Sequence, residues 1–151
     1  MIQTSVWRIP KGNTRLATTK PRTTKGRAVL CARLAQEKQA TNILVLDLTA
    51  LDSAPAEFFV IVSVGSDAQL NAVSGAVEGD MKKLGFGSPR REGKGTSTWV
   101  ILDYFDIVVH IMVESAREFY KLEKLWGDAK ASTLTESGTA KATTITKKKT
   151  V

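Results

Sequence analysis

The residues best suited to chemistry lie near the middle of the chain. Gly65-Ser66 follows an apolar run and precedes a helical pattern, and backbone amides at such a turn can bind phosphate. Glu78-Gly79-Asp80 comes a few turns later. Nucleotidyltransferases place a Gly-Ser and then an acid-x-acid pair that holds metal in this order. Such chemistry needs two convergent carboxylates. Residues two apart share a face on a strand but point about 200° apart on a helix. Leu70, Val73, Val77, Met81 and Leu84 mark a helical face here, so Glu78 and Asp80 are expected to diverge. Gly65-Ser66 then reads as a turn and a helix cap, with Ser66 and Gln69 forming a capping box.

His110 is the only histidine and the obvious general base. It belongs to a strand in which Val108, His110 and Met112 face one way and Ile107, Val109, Ile111 and Val113 the other. No serine is placed as a nucleophile, and Cys31 lies on a small-residue helical face distant in sequence. His110 therefore reads as a residue that hydrogen-bonds its surroundings or sits in an interface. The single cysteine excludes an internal disulfide and a cysteine-rich zinc site. Asp47, Asp103 and Asp106 lie at strand ends, where acids form turns and caps. Glu92-Gly93-Lys94-Gly95 matches neither a P-loop nor a dinucleotide fingerprint and reads as a loop. The chain is expected to be non-catalytic, with no metal or cofactor.

The elements that position these residues follow from apolar spacing. Residues 28–38 carry Ala28, Cys31, Ala32 and Ala35 at helical spacing. Ile43–Leu46 and Phe58–Val64 are apolar runs of buried-strand type. The helix of residues 70–84 stops at Gly85. A weak strand near Pro89–Glu92 is followed by Thr98–Asp103 and Ile107–Val113, with a hairpin-like gap between the last two. Ser115 and Glu118 form a second capping box, opening a helix whose Phe119, Leu122 and Trp126 share one face before Gly127. The predicted order is α-β-β-α-β-β-β-α, an α/β domain with a mixed sheet of about five strands and flanking helices. Its length of 151 residues suits one such domain. No apolar run approaches the ~20 residues of a membrane-spanning helix.

Charge is concentrated at the ends. Residues 1–27 hold seven Lys/Arg and no acid, and residues 129–151 hold five lysines and Glu136. The ends together carry +11 against a whole-chain +7, which leaves residues 28–128 at −4. RNA contacts would fall to the tails, and the acidic middle suits a basic protein partner. Residues 1–27 and 130–151 are both read as disordered basic tails. The first also resembles an organellar transit peptide, and it lacks a secretory apolar core. Trp99 alternates on its strand with Val100, and Tyr120 lies one residue off the apolar helical stripe, so each is a candidate binding anchor.

Two motifs join these observations. Trp99-Val100-Ile101-Leu102-Asp103-Tyr104-Phe105-Asp106-Ile107-Val108-Val109-His110 resembles one signature of the ribosomal silencing factor, or Iojap, family. Arg117-Glu118-Phe119-Tyr120-Lys121-Leu122-Glu123-Lys124-Leu125-Trp126-Gly127-Asp128 resembles the other. Asn42–Leu48, Phe59-Val60-Ile61, Gly65-Ser66 and Glu92-Gly93 fall in the family's order. The resemblance spans about residues 28–129. It implies a nucleotidyltransferase-like fold without that activity and a homodimer when free. It also implies binding to the L-fourteen-family protein of the large ribosomal subunit, where a bound domain would block the small subunit and repress initiation when nutrients fall. Trp99 and Tyr120 would be partner contacts, with Asp103, Tyr104 and His110 beside them. The expected location is the cytoplasm. The alternatives are a large-subunit assembly factor in a mitochondrion or plastid, and a nucleotidyltransferase.

Two positions depart from the family pattern. Phe105 stands where the family usually has Gly. If that turn needs φ > 0, Phe costs about 1–2 kcal/mol, so either the turn is rearranged or Phe105 adds an exposed contact. Glu57-Phe58 replaces the usual Asp-Tyr and puts local hydrogen bonding in question.

Overall fold

The computed structural model describes residues 20–93 and 97–145. The expected tail residues 1–19, Lys94-Gly95 and the lysines Lys147-Lys148-Lys149 lie outside the described residues. Among the described residues eleven elements run α1 (Thr24–Glu37), β1 (Thr41–Asp47), β2 (Phe58–Val64), α2 (Asp67–Lys83), β3 (Arg90–Glu92), β4 (Trp99–Asp103), β5 (Ile107–Val113), α3 (Glu114–Tyr120), α4 (Leu122–Leu125), β6 (Lys130–Leu134) and β7 (Ala140–Thr143). They form one mixed sheet in the order β3-β4-β5-β2-β1-β6-β7. The mixed α/β class is as expected, with seven strands among the described residues rather than about five.

The central pair is β2 and β5, parallel from Phe58–Ile107 to Val64–Val113. Every residue of both strands is buried. Residues opposite each other in register share a face of the sheet, and Ile61, His110 and Ile101 align, as do Ser63, Met112 and Trp99. This front face also carries Phe59, opposite Val108. The back face carries Val60, Val62, Val100, Leu102, Val109 and Ile111, all fully buried. Arg91, opposite Leu102, reaches Glu78 Oε1 on α2 at 2.9 Å, so α2 lies behind the sheet with α1 packed against it. The small side chains Ala28, Cys31, Ala32 and Ala35, all 0% exposed, allow α1 to approach closely.

Side-chain caps start the two long helices. Thr23 accepts from Gly26 N–H at 2.9 Å, so α1 starts four residues before the expected Ala28. Ser66 accepts from Gln69 N–H at 3.1 Å. Gln69 Oε1 accepts from Gly65 N–H at 2.8 Å, and its amide donates to Lys38 O at 3.0 Å, tying α2 to the end of α1. Gly85, at φ +90°, ends α2, with Phe86 N–H donating to Met81 O at 3.0 Å.

Three expectations are corrected. Ser115 caps nothing: α3 begins at Glu114 behind Val113, which makes no side-chain cap bond. The helix expected to continue to Trp126 instead breaks at Lys121, at φ +47°, which turns α4 relative to α3. The expected tail from residue 130 is corrected as well, because β6 pairs with β1 and β7 with β6. Arg33 Nε donates to Gly138 O at 2.6 Å and Gln36 Nε2 to Thr135 O at 3.0 Å. Local periodicity carries no sign of these long-range partners.

The β4–β5 turn keeps the geometry a glycine would favour. Phe105 sits at φ +82° and is 87% exposed, so the turn is not rearranged and the side chain stands in solvent. The turn is held from three sides. Asp103 Oδ1 accepts from Phe105 N–H at 2.8 Å, Asp106 Oδ2 meets Arg27 Nη2 at 2.7 Å, and Asp106 O accepts from Glu57 and Phe58 N–H at 2.9 and 3.1 Å. The last pair shows that Glu57-Phe58 keeps its backbone bonding. Because Phe105 packs little and its backbone is strained, Phe105→Gly should raise unfolding free energy by about 1 kcal/mol. A denaturant midpoint that moves up at unchanged slope would show this; a midpoint that falls would mean the side chain is needed for the fold.

Candidate functional site

Six rings form a connected row across the front of the sheet. β4 places Trp99 beside β5, and its indole Nε1–H donates to His110 Nδ1 at 3.1 Å. The Trp99 ring meets Tyr120, at the end of α3, with centroids 4.9 Å apart. Phe119 stands edge-on to Tyr120 at 4.8 Å. Inward, His110 is edge-on to Phe59 at 4.6 Å, and Phe59 meets Trp126 at 5.8 Å. The row runs from solvent into the core: Phe119 is 77% exposed, Tyr120 51% and His110 5%.

Arg117 holds α3 against the sheet. It is buried, and it donates to Ser63 Oγ at 2.9 Å and to Glu123 Oε1 at 3.1 Å. A cavity of about 380 Å³ beside this pair is lined by Asn42, Ser63, Glu118, Lys121 and Lys124 among others. The aromatic end of the row thus borders a charged rim, an arrangement common at protein interfaces.

Of the expected contact residues, Trp99, Tyr120 and His110 come together. His110 lies beneath the other two as a buried support. Asp103 serves the β4–β5 turn. Tyr104 belongs to the rear, where burial, with Cys31 and Glu78 nearby, pushes its phenol up; its hydroxyl is buried without a hydrogen-bond partner among the described residues. Sequence reasoning missed Phe119 as a surface residue because it placed Phe119, Leu122 and Trp126 on one continuous helical face. The break at Lys121 separates them and leaves Leu125, on α4, 74% exposed too. A lysine in left-handed conformation leaves no sequence signal.

The residues with catalytic potential are engaged elsewhere. Ser66 caps α2, and Glu78 pairs with Arg91. Asp80 lies near Lys83 and Lys38, its carboxyl raised by partial burial. Burial pushes the Cys31 thiol up to about 12, against an opposing Arg27 charge, so the nucleophilic thiolate is scarce at neutral pH. Among the described residues no group of three or more His, Cys, Asp or Glu could hold a metal ion. No described helix is long and apolar enough to cross a membrane.

These features define a mixed-sheet α/β domain with two helices behind the sheet and an aromatic row on its front. A family model described as ribosomal silencing factor during starvation matches residues 21–151, and the chain belongs to that family, whose members are ribosome-associated regulators of translation. It is 35% identical over 100 residues to ribosomal silencing factor RsfS of Bacillus subtilis, covering 66% of this chain and 84% of the relative. It is also 35% identical over 102 residues to the chloroplastic protein Iojap of Zea mays, covering 68% of this chain and 44% of that protein. A solved structure of a Chromobacterium violaceum protein superposes with a TM-score of 0.66 at 25% identity, covering 70% of this chain and 88% of the other. The family match takes in β6 and β7, beyond the expected limit at residue 129.

Burial, opposed in part by Asp103, pushes the His110 imidazole down to about 4 from 6.5. The unfolded chain therefore takes up this proton first. The stability linked to neutral His110 is complete above pH 6.5 and is lost as pH falls toward 4. From pH 7 to pH 5 this group should lower unfolding free energy by about 2 kcal/mol. Denaturation of the parent and of His110→Leu at both pH values tests this: the parent should lose more on acidification, and equal losses would rule out His110 as the source.

Proposed function

We propose that this chain represses translation by docking on the large ribosomal subunit through its L-fourteen-family protein. The docked domain then fills space the small subunit needs for joining. The action is steric and makes or breaks no bond. The observation that carries this reading is the outer end of the aromatic row, where Tyr120 and Phe119 stay exposed against a half-buried Trp99. Rigid aromatic anchors of this kind can each contribute ~2 kcal/mol or more when a partner desolvates them. The net charge of −4 over residues 28–128, set against +7 for the whole chain, supports a basic partner. A homodimer when free, and a cytoplasmic location, complete the reading. A mouse relative named mitochondrial assembly of ribosomal large subunit protein 1, 31% identical over 96 residues, favours a second version, in which the same domain acts on the large subunit inside an organelle during assembly.

Co-sedimentation with purified large subunits tests the docking. Trp99→Ala and Tyr120→Ala should each weaken binding by about tenfold or more while the thermal transition persists. Adding the parent before small subunits should reduce the joined-ribosome peak. Binding by both variants at parental strength would refute the surface assignment. Association with large-subunit precursors alone would favour the assembly version.

A further inference from the structure

The front face has one feature that stability does not explain. β5 is buried along its whole length, and six of its seven residues are apolar. His110 is the exception. A buried imidazole costs free energy unless its polar atoms are bonded. Among the described residues its Nε2 is buried with no hydrogen-bond partner, and the imidazole's one hydrogen bond there is the Nδ1 acceptance from Trp99. A leucine would fill the same interior position without an orphaned nitrogen. What leucine could not do is accept the indole proton.

We propose that His110 is a positioning residue whose Nδ1 holds the Trp99 indole in the orientation that supports Tyr120 and presents both rings to the docking partner. The inference rests on the docking reading above. A tryptophan ring that bridges a core and a surface has two torsions to settle, and its N–H is the only handle by which hydrogen bonding can select among them. Here the acceptor sits on the adjacent strand, opposite Ile101 and so near Trp99 on the same face. Phe59 closes the far side of the imidazole, edge-on at 4.6 Å, and so restricts the imidazole in turn. Since Nδ1 accepts, the ring proton lies on Nε2, the tautomer in which Nδ1 keeps its lone pair. A preset ring loses less freedom on binding, so the contact gains affinity without gaining area.

Two substitutions separate positioning from filling. His110→Leu fills the space and removes the acceptor, whereas His110→Asn can return an acceptor oxygen close to the Nδ1 position. The chain has three tryptophans, so an amide-nitrogen correlation spectrum shows three indole N–H peaks, and Trp99→Phe identifies one of them. In His110→Leu the Trp99 peak should shift and exchange faster with water, while the Trp126 peak stays in place. Binding to large subunits should weaken by about three- to tenfold, in proportion to one hydrogen bond, at a similar melting temperature. His110→Asn should restore the peak and the affinity together. An unmoved Trp99 peak in His110→Leu overturns the proposal. So does a moved peak with parental binding when Trp99→Ala loses binding. Parental binding by Trp99→Ala removes the docking reading itself, and the use of the lock falls with it.

Discussion

β2 and β5 lie side by side, parallel and buried at every position, and a parallel pair cannot be closed by a tight turn. The chain must leave the end of β2 and return, and α2, β3 and β4 make that excursion. β5 is thereby held between β2 and β4, with His110 between Ile61 and Ile101 and Met112 between Ser63 and Trp99. Shifting β4 by one residue would carry Trp99 to the helical rear and turn Val100 to the front. The aromatic row depends on this register before it depends on any contact between rings.

A second constraint shapes the outer end of the row. Burying a guanidinium costs several kcal/mol unless it is paired, and Arg117 is paired with Glu123 and bonded to Ser63. On an unbroken helix, residues six apart would be separated by about 240° around the axis. The left-handed residue Lys121 removes that separation and lets Glu123 return to Arg117. The same break turns Phe119 toward water and brings Trp126 against Phe59. One electrostatic requirement in the interior thus accompanies the apolar surface outside.

What the sequence revealed, and what it hid, follows from how local each determinant is. Phe58–Val64 and Ile107–Val113 are β-branched and aromatic runs whose neighbours stop them, so both strands stand where the pattern puts them. Ser66 and Gly85 act within a few residues of themselves and end α2 as their types suggest. Phe105 was legible as a problem, since a bulky residue at a turn that favours glycine must be either strained or displaced. β6 and β7 were not legible. Their Thr, Ser and Lys residues resemble a solvated tail, and their order comes from β1 and from Arg33 and Gln36 on α1. His110 was visible as a lone polar residue in an apolar strand, but its partner across the sheet was not.

The division of labour between polar and aromatic residues bears on what the domain does. Polar groups that could support chemistry spend their bonding capacity on the fold: Ser66 on a cap, Glu78 on Arg91, Asp106 on Arg27, Asp103 on its own turn. Each such bond fixes a carboxylate or hydroxyl where a substrate would have to displace it. Phe119, Tyr120 and Leu125 instead keep large apolar surfaces in water, where each square ångström left uncovered forgoes about 25 cal/mol. Neighbouring large apolar residues exposed together mark contact sites more often than accident. Phe119, Tyr120 and Leu125 thus leave apolar area uncovered at the outer end of the aromatic row, and a surface that covered it would recover the energy that area forgoes in water.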